Sequence, residues 1–209
     1  MPIIESAFKK IKTLTQSLDP GLVVVTKKQT VQDIETLIHE GQYHFGENYL
    51  QAALPKIHAL AHYPCQWHFI GQVQTNKLKL ICEHFHWIQS ISQQKQIARI
   101  GQLSLSTPIN ICIQVRSSSH SHQSGIAINE LNELLDAAKA CTQVRLRGLM
   151  YLADPEQAVV TQFEKIAMLF HHYQPLYHLD TLSMGMSQDY QEALACGATM
   201  IRIGRNLFR

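Results

Sequence analysis

The sequence predicts an α/β fold, a single (β/α)8 barrel of the TIM type over residues 1–209. Segments typical of strands and segments typical of helices alternate along the whole chain, which predicts parallel strands joined by right-handed crossovers. Eight strand-like segments can be counted, and eight is the number that closes such a barrel. The turn after the first segment, Lys27-Lys28-Gln29, lacks the glycines expected in the alternative architecture, an open doubly wound sheet.

Eight stretches of mainly apolar residues predict the strands. The first, Leu22–Thr26, contains three consecutive valines without polar alternation, as in a strand that is buried on both faces of a parallel sheet. The loops between the stretches must be short, because 209 residues lie near the lower limit of length for this fold. The other seven stretches are Gln42–Phe45, Gln66–Ile70, Trp87–Ser90, Ile109–Val115, Val144–Met150, Leu179–Ser183 and Thr199–Ile203.

Helices are predicted between several of these strands. The clearest begins at Thr30, where Asp33 completes a variant capping box, and it ends at Gly41. Only six residues follow the last predicted strand, so we expect an amphipathic helix before the first strand, Ser6–Ser17, to cover that flank. The remaining predicted helices are Ile128–Ala140, Asp154–Tyr173 with Pro155 in its first turn, and Ser187–Cys196.

The composition argues against several classes of function. A net charge of +2 is too small to favour binding to nucleic acid or to an anionic membrane. Five cysteines without a C-x-x-C pair are typical of reduced thiols in the cytosol. The amino terminus lacks the pattern of a signal peptide, and no stretch is long enough to cross a bilayer. We therefore expect a cytoplasmic monomer without nucleic-acid or membrane partners.

Three pairs of neighbouring histidines raise the question of a metal site. None of the pairs has a carboxylate or a thiol at a recognised ligand spacing, so we expect no bound metal. The pairs are His84 with His86, His120 with His122, and His171 with His172.

Lys27 follows the first predicted strand directly. The carboxyl ends of the strands are where barrels of this type carry their functional groups. A partly desolvated lysine amine forms a Schiff base with an aldehyde, such as that of pyridoxal phosphate (PLP). The alternative interpretation is a solvated basic pair, because Lys28 comes next.

Glycines and small hydroxyl residues cluster after the last two predicted strands. The stretch from Ser183 to Ser187 contains Gly185, and Gly204 and Arg205 follow the final strand. Glycine lets backbone N–H groups approach a phosphate, and hydroxyls can donate to its oxygens. Together with an amine at the first strand, this pattern fits a ligand that has an aldehyde at one end and a phosphate at the other. A barrel that binds some other phosphorylated metabolite remains an alternative.

Arg202 lies within the last predicted strand and shares a face with Met200. It can form an ion pair or extend to solvent from the edge of the barrel. In the functional interpretation its guanidinium lies beside the pyridine nitrogen of PLP. A permanent cation there would disfavour protonation of the pyridine and weaken the ring as an electron sink.

Five stretches of this sequence resemble motifs of the YggS/PROSC family of PLP homeostasis proteins. They occur in the family order and cover the chain from about residue 20 to its end. They are Phe45–Asn48, Trp67–Lys77, Arg147–Met150, Leu182–Ser187 and Ile201–Gly204.

The resemblance implies a fold like the amino-terminal domain of alanine racemase, known as fold-type III of PLP proteins. It implies storage, buffering or delivery of PLP without a known turnover, with PLP-dependent apo-enzymes as recipients. It also implies a set of cofactor-binding residues, with the Schiff base on Lys27, the phosphate at the last two strands and Arg202 near the pyridine nitrogen. The set is Lys27, Asn48, Ser183, Gly185, Ser187, Arg202, Gly204 and Arg205.

The chain departs from the family pattern at three positions. Gln29 and Gln123 occupy positions where the family commonly has lysine, and Arg205 replaces a threonine. The alternative function is that of a fold-type III enzyme such as an amino-acid racemase. Such a racemase uses a tyrosine from an additional β-domain as its second acid/base, and we expect no such domain in a chain that ends at Arg209.

Overall fold

The computed structural model describes residues 4–19, 21–116 and 124–208. Eight parallel strands in these ranges form a closed barrel, and one further strand of two residues pairs with the end of β5. The strands are β1 (Gly21–Val25), β2 (His44–Glu47), β3 (Gln66–Phe69), β4 (Trp87–Ile91), β5 (Ile109–Arg116), β6 (Ile126–Ala127), β7 (Val144–Tyr151), β8 (Thr181–Ser183) and β9 (Met200–Ile203).

Each strand of the barrel pairs in parallel with the next one along the chain, and β5 pairs with β7 because β6 is the short additional strand. The pairing of β9 with β1 closes the ring, with Val23 opposite Arg202. The predicted barrel and its eight strands are confirmed, with ends that differ by at most two residues. All eight strands run in the same direction, so the residues that follow them meet at one mouth of the barrel.

Helices of the described ranges surround the strands. The predicted start of the second helix is confirmed: the Thr30 hydroxyl accepts a hydrogen bond from the Asp33 N–H at 3.1 Å, and the Asp33 carboxylate accepts one from the Thr30 N–H at 2.9 Å. The helices are α1 (Glu5–Thr15), α2 (Val31–His39), α3 (Leu50–Ala59), α4 (Leu78–His84), α5 (Gln94–Gly101), α6 (Leu131–Ala140), α7 (Val159–Tyr177) and α8 (Tyr190–Ala195).

The helix predicted from Ile128 begins with a 3₁₀ turn, Ile128–Glu130, and becomes α-helical at Leu131. Two further predicted helix starts are wrong, because aspartate side chains hold turns at these points. The Asp154 carboxylate accepts a hydrogen bond from the Glu156 N–H at 3.0 Å, so that α7 begins at Val159 and not at Asp154. The Asp189 carboxylate accepts one from the Met186 N–H, so that α8 begins at Tyr190 and not at Ser187. Such local bonds offer the backbone an alternative to the helical pattern.

The helix α1 packs against the segment that follows β9, as predicted. The Ile4 N–H donates a hydrogen bond to the Leu207 carbonyl at 2.9 Å. Phe8 and Ile11 of this helix are buried in the same apolar cluster as Leu207 and Phe208. The two ends of the described chain are therefore held together by apolar packing as well as by a backbone hydrogen bond.

The core consists of two layers. A large apolar layer lies between the strands and the helices. A smaller cluster fills the inside of the barrel and consists of Val23, Trp87, Cys112, Met150 and Met200. No helix in the described part of the chain is long and apolar enough to span a membrane.

Candidate functional site

Six of the eight predicted site residues line one cavity at the mouth of the barrel. The cavity has a volume of about 210 Å³. Its predicted lining residues are Lys27, Asn48, Ser187, Arg202, Gly204 and Arg205. An apolar wall is formed by Val25, Ile70, Met150 and Leu152. Residues from both ends of the chain thus meet at this place, because β9 pairs with β1.

Lys27 reaches the cavity because the chain turns sharply after β1. The Gln29 N–H donates a hydrogen bond to the Thr26 carbonyl at 2.9 Å, and Lys28 has a left-handed backbone with φ of 66°. Val23 and Val25 face the inside of the barrel, and Lys27 follows on the same side by the two-residue alternation of strands. Its side chain is exposed and lines the cavity.

A buried ion pair supports the backbone just before Lys27. The Lys56 ammonium lies 2.7 Å from Oε1 of Glu47 and donates to the Thr26 carbonyl at 2.8 Å. The Thr26 hydroxyl donates to the same Glu47 oxygen at 2.7 Å. These bonds tie β1, β2 and α3 together, so that the residue preceding Lys27 is held by both its carbonyl and its side chain. Sequence reasoning missed Lys56, which lies in a helix that was not predicted.

Asn48 presents an unpaired polar atom beside the cavity. Its side-chain oxygen Oδ1 is buried and has no hydrogen-bond partner. The backbone of Asn48 is held close to Gly71, where a Cβ atom would lie 2.0 Å from the Asn48 carbonyl oxygen. Because an unpaired buried acceptor is costly, the Oδ1 oxygen is suited to receive a hydrogen bond from a ligand.

The structure does not bring Ser183 and Gly185 to the cavity lining. The Ser183 hydroxyl is buried, donates to Oε1 of Gln89 at 2.7 Å and accepts a hydrogen bond from Arg202. Gly185 has φ of 92°, and a side chain there would lie 2.5 Å from Cβ of Ala193 in α8. The hydroxyl of Ser183 is thus engaged below the cavity, and Gly185 serves the turn into α8.

Arg202 is buried, with 3% of its surface exposed, and its guanidinium reaches the floor of the cavity. Nη2 donates to the Tyr151 carbonyl at 2.8 Å, and Nη1 donates to the Ser183 hydroxyl. Burial lowers the pKa of Arg202 to about 10, which leaves the guanidinium protonated at neutral pH. The predicted common face of Arg202 and Met200 is confirmed, and the structure shows that it points into the barrel.

Three cations and one carboxylate line the cavity. Lys27, Arg202 and Arg205 carry the positive charges, and Asp189 carries the negative one. The excess of positive charge favours an anionic ligand. Asp189 was not among the predicted residues. The signal that could have indicated it is its place two residues after Ser187, in a loop that follows a strand end.

A second and more polar cavity of about 470 Å³ adjoins the first and shares Asn48, Ile70 and Leu152 with it. Glutamine and serine side chains dominate its polar lining. Of the two glutamines that depart from the family pattern, Gln29 is half-buried near Lys27, and Gln123 lies outside the described residues. Within the described ranges, no group of three His, Cys, Asp or Glu side chains is arranged to hold a metal ion.

Comparison with known proteins assigns the chain to a family. It matches the family model described as alanine racemase, N-terminal domain, over residues 4–209. The pyridoxal phosphate homeostasis protein of Escherichia coli (strain K12) is 39% identical over 196 residues, which are 90% of this chain and 84% of that protein. The protein of the same name from Pseudomonas aeruginosa is 40% identical over 191 residues, which are 90% of this chain and 83% of that protein.

Solved structures agree with this assignment. PipY of Synechococcus elongatus, with PLP bound, is 32% identical with a TM-score of 0.79, over 90% of this chain and 92% of that one. Alanine racemase from Corynebacterium glutamicum is 15% identical with a TM-score of 0.68, over 96% of this chain and 59% of that one, which shows a likeness of fold alone. The chain belongs to the pyridoxal phosphate homeostasis protein family, within the wider family of the alanine racemase N-terminal domain.

Proposed function

We propose that this protein binds PLP reversibly through a Schiff base on Lys27 and stores, buffers or delivers it. The observation that carries the proposal is that an exposed lysine amine, two arginines and Gly204 line one cavity of about 210 Å³. Relatives that are 39% and 40% identical are named PLP homeostasis proteins, and PipY has been solved with PLP bound. All five cysteines are free thiols, which supports a cytosolic location.

The residues of the cavity fit PLP in charge and in shape. Arg205 complements a phosphate dianion, and the buried Oδ1 of Asn48 lacks a partner that a ligand could supply. At Gly204 a side chain would lie 3.2 Å from the Val25 carbonyl and 3.3 Å from its Cβ, so the missing side chain leaves room at the cavity wall. The apolar wall of Met150 and Leu152 suits an aromatic ring.

Each of these residues has a role in the proposal. Lys27 would hold the aldehyde end of PLP, since its amine can condense with an aldehyde and release one water. Ser187, Gly204 and Arg205 hold the phosphate end, since they follow β8 and β9 at one side of the cavity. Arg202, held by the Ser183 hydroxyl and the Tyr151 carbonyl, would face the ring. When bound, PLP supplies an aldehyde and an electron-withdrawing ring.

We further propose that the protein has no efficient turnover and that apo-enzymes receive its PLP. Acid/base chemistry on PLP needs a second group positioned to move a proton. The carboxylate that lines the cavity, Asp189, is engaged with the Met186 N–H. The guanidinium groups of Arg202 and Arg205 are hydrogen-bond donors and do not serve as bases. The barrel, with α1 closing its flank, is proposed to be a single domain over residues 1–209.

Mass spectrometry after borohydride reduction tests the proposal. Reduction of the PLP-loaded protein converts the C=N bond to a stable amine, so that digestion identifies the modified lysine. We expect the pyridoxyl group on Lys27, and we expect Lys27→Ala to remove both the adduct and its visible absorbance. Lys28→Ala is the matched control, because Lys28 is exposed and does not line the cavity. Modification at Lys28 or Lys77 would contradict the assignment.

A further inference from the structure

A series of hydrogen-bonded polar side chains, called here the interior network, crosses the interior of the barrel. It begins at His44, at the amino-terminal end of β2, and ends at Arg202 in the cavity. Nδ1 of His44 lies 3.0 Å from Nε2 of His68, whose Nδ1 lies 2.9 Å from Nε2 of Gln89. Oε1 of Gln89 accepts from the Ser183 hydroxyl at 2.7 Å, and that hydroxyl accepts from Nη1 of Arg202.

Arg202 sets the direction in which hydrogen bonds are donated throughout the interior network. A guanidinium can only donate, so the Ser183 oxygen accepts from Arg202 and its proton goes to Gln89. Gln89 accepts with its oxygen and therefore presents its amide nitrogen to His68. His68 must then accept at Nδ1 and carry its proton on Nε2, which leaves Nδ1 of His44 as the acceptor.

A contact of Gln89 with a residue outside the interior network supports this orientation of its amide. Nε2 of Gln89 also lies 3.1 Å from the sulfur of Met200. A thioether sulfur has no proton and only accepts, so the amide nitrogen is the group that should face it. The amide nitrogen thus has acceptors for both of its protons, in Met200 and His68.

The charges in the interior agree with this direction. Among the described residues, no carboxylate forms an ion pair with Arg202, which is 3% exposed. A buried cation needs oriented acceptors, and Ser183 and the Tyr151 carbonyl provide them. Burial lowers the pKa of His44 to about 4 and that of His68 well below its usual value, so both rings are neutral at pH 7. Neutral rings are what the proposed direction of donation requires, because each ring must accept a hydrogen bond at Nδ1.

We propose that His44, His68, Gln89 and Ser183 are positioning residues that fix the guanidinium of Arg202 at the cavity, with hydrogen bonds donated in one direction from Arg202 to His44. The effect on PLP rests on the proposed function, in which Arg202 faces the ring. The direction of donation and the rigidity of Arg202 are properties of the protein alone. A substitution that interrupts the interior network away from the cavity should therefore make the Arg202 side chain more mobile.

The direction is tested by nitrogen-15 NMR of the histidine rings in the ligand-free protein at pH 7. We expect both His44 and His68 to carry the proton on Nε2 only. The assignment of the two signals comes from His44→Gln and His68→Gln spectra. A proton on Nδ1 of His68 would overturn the proposed direction.

The positioning role is tested with Gln89→Met, which keeps the side-chain volume but removes the link. Exchange of the Arg202 guanidinium protons with solvent, measured without ligand, should become roughly fivefold faster, because the Ser183 hydroxyl that accepts from Nη1 loses its own acceptor. PLP should bind roughly fivefold more weakly, with a shifted absorbance maximum of the lysine adduct. Ile34→Val, in the outer apolar layer and outside the interior network, should change neither the exchange nor the absorbance maximum.

The outcomes separate this inference from the proposed function. The positioning role would be refuted if Arg202 exchanged at the wild-type rate in Gln89→Met, or if Ile34→Val changed the exchange equally. If wild type fails to bind PLP, the proposed function is wrong, and the ring tautomers and the exchange at Arg202 still decide the inference. If Gln89→Met does not fold, Ser183→Ala takes its place, because it interrupts the interior network at the neighbouring residue.

Discussion

Gly204 lies at the cavity wall, where a side chain would press against Val25. Replacing Gly204 with valine should weaken PLP binding about tenfold or more, since overfilling a packed site costs about 1–3 kcal/mol. The loss should be larger for PLP than for pyridoxal, which has no phosphate to fit at this loop. Titration of both ligands with wild type and Gly204→Val measures the difference. Equal losses would place the phosphate away from the loop after β9.

Ser183 allows a second test at the level of one residue. Its hydroxyl contacts Arg202 and Gln89 and does not line the cavity. Ser183→Ala should weaken the binding of PLP by about 1.5–3 kcal/mol, because the charged Arg202 loses one of the hydrogen bonds that hold it in place. The cost should be the same for PLP and for pyridoxal, because both have the ring that Arg202 faces. A loss confined to PLP would return Ser183 to the phosphate site that the sequence alone predicted.

At the scale of the elements, β2 and β3 place His44 and His68 in contact inside the barrel. Burial lowers the pKa of His44 to about 4, with a smaller raising effect of Asp19 and a lowering effect of His86. The folded pKa lies below the unfolded value, so stability that is present above pH 6.5 is lost as the pH falls towards 4. The loss through His44 should reach about 2 kcal/mol at about pH 5.

Urea unfolding at pH 7 and pH 5 measures this loss. In His44→Gln the amide oxygen can still accept from His68, but the titrating group is gone. The variant should therefore lose less stability than wild type between the two pH values. If both proteins lose the same free energy of unfolding, a group other than His44 is responsible.

The close approach of β2 and the segment after β3 is a second property of the elements. A side chain at Gly71 would lie 2.0 Å from the Asn48 carbonyl oxygen and 2.7 Å from its carbon. Gly71→Ala should lower the free energy of unfolding by about 3 kcal/mol, because backbone atoms have to move. It should also weaken PLP binding, since Asn48 would be displaced. Gly101→Ala at the end of α5 is the control and should leave PLP binding unchanged, because Gly101 lies outside the cavity.

At the scale of the whole molecule, one barrel mouth collects the functional groups of both chain ends. The described lining of the cavity contains one lysine and one engaged carboxylate as its candidates for proton transfer. PLP-loaded protein incubated with L-alanine should therefore form D-alanine far more slowly than the value of about 10 per second that is typical of enzymes. An alanine racemase assayed in parallel is the positive control. A turnover near the typical value would refute the carrier function.

Part of this fold could be predicted because its signals are local. An unbroken valine run indicates a doubly buried strand, and alternation of strands with helices indicates parallel pairing. The capping box at Thr30 is likewise recognisable over four residues. By contrast, α7 and α8 begin later than predicted, because the side chains of Asp154 and Asp189 hold turns that depend on the local backbone path.

The sequence by itself determined the barrel, its strand count, and the position of Lys27 after the first strand. Only the tertiary structure decided which residues of the last strands reach the cavity and which lie beneath it. Ser183 and Ser187 are four residues apart and alike in chemistry, yet one is engaged with Gln89 and Arg202 while the other lines the cavity. The reason is physical: Gln89 and Ser183 are 94 residues apart along the chain, and closure of the barrel is what brings them within hydrogen-bond distance.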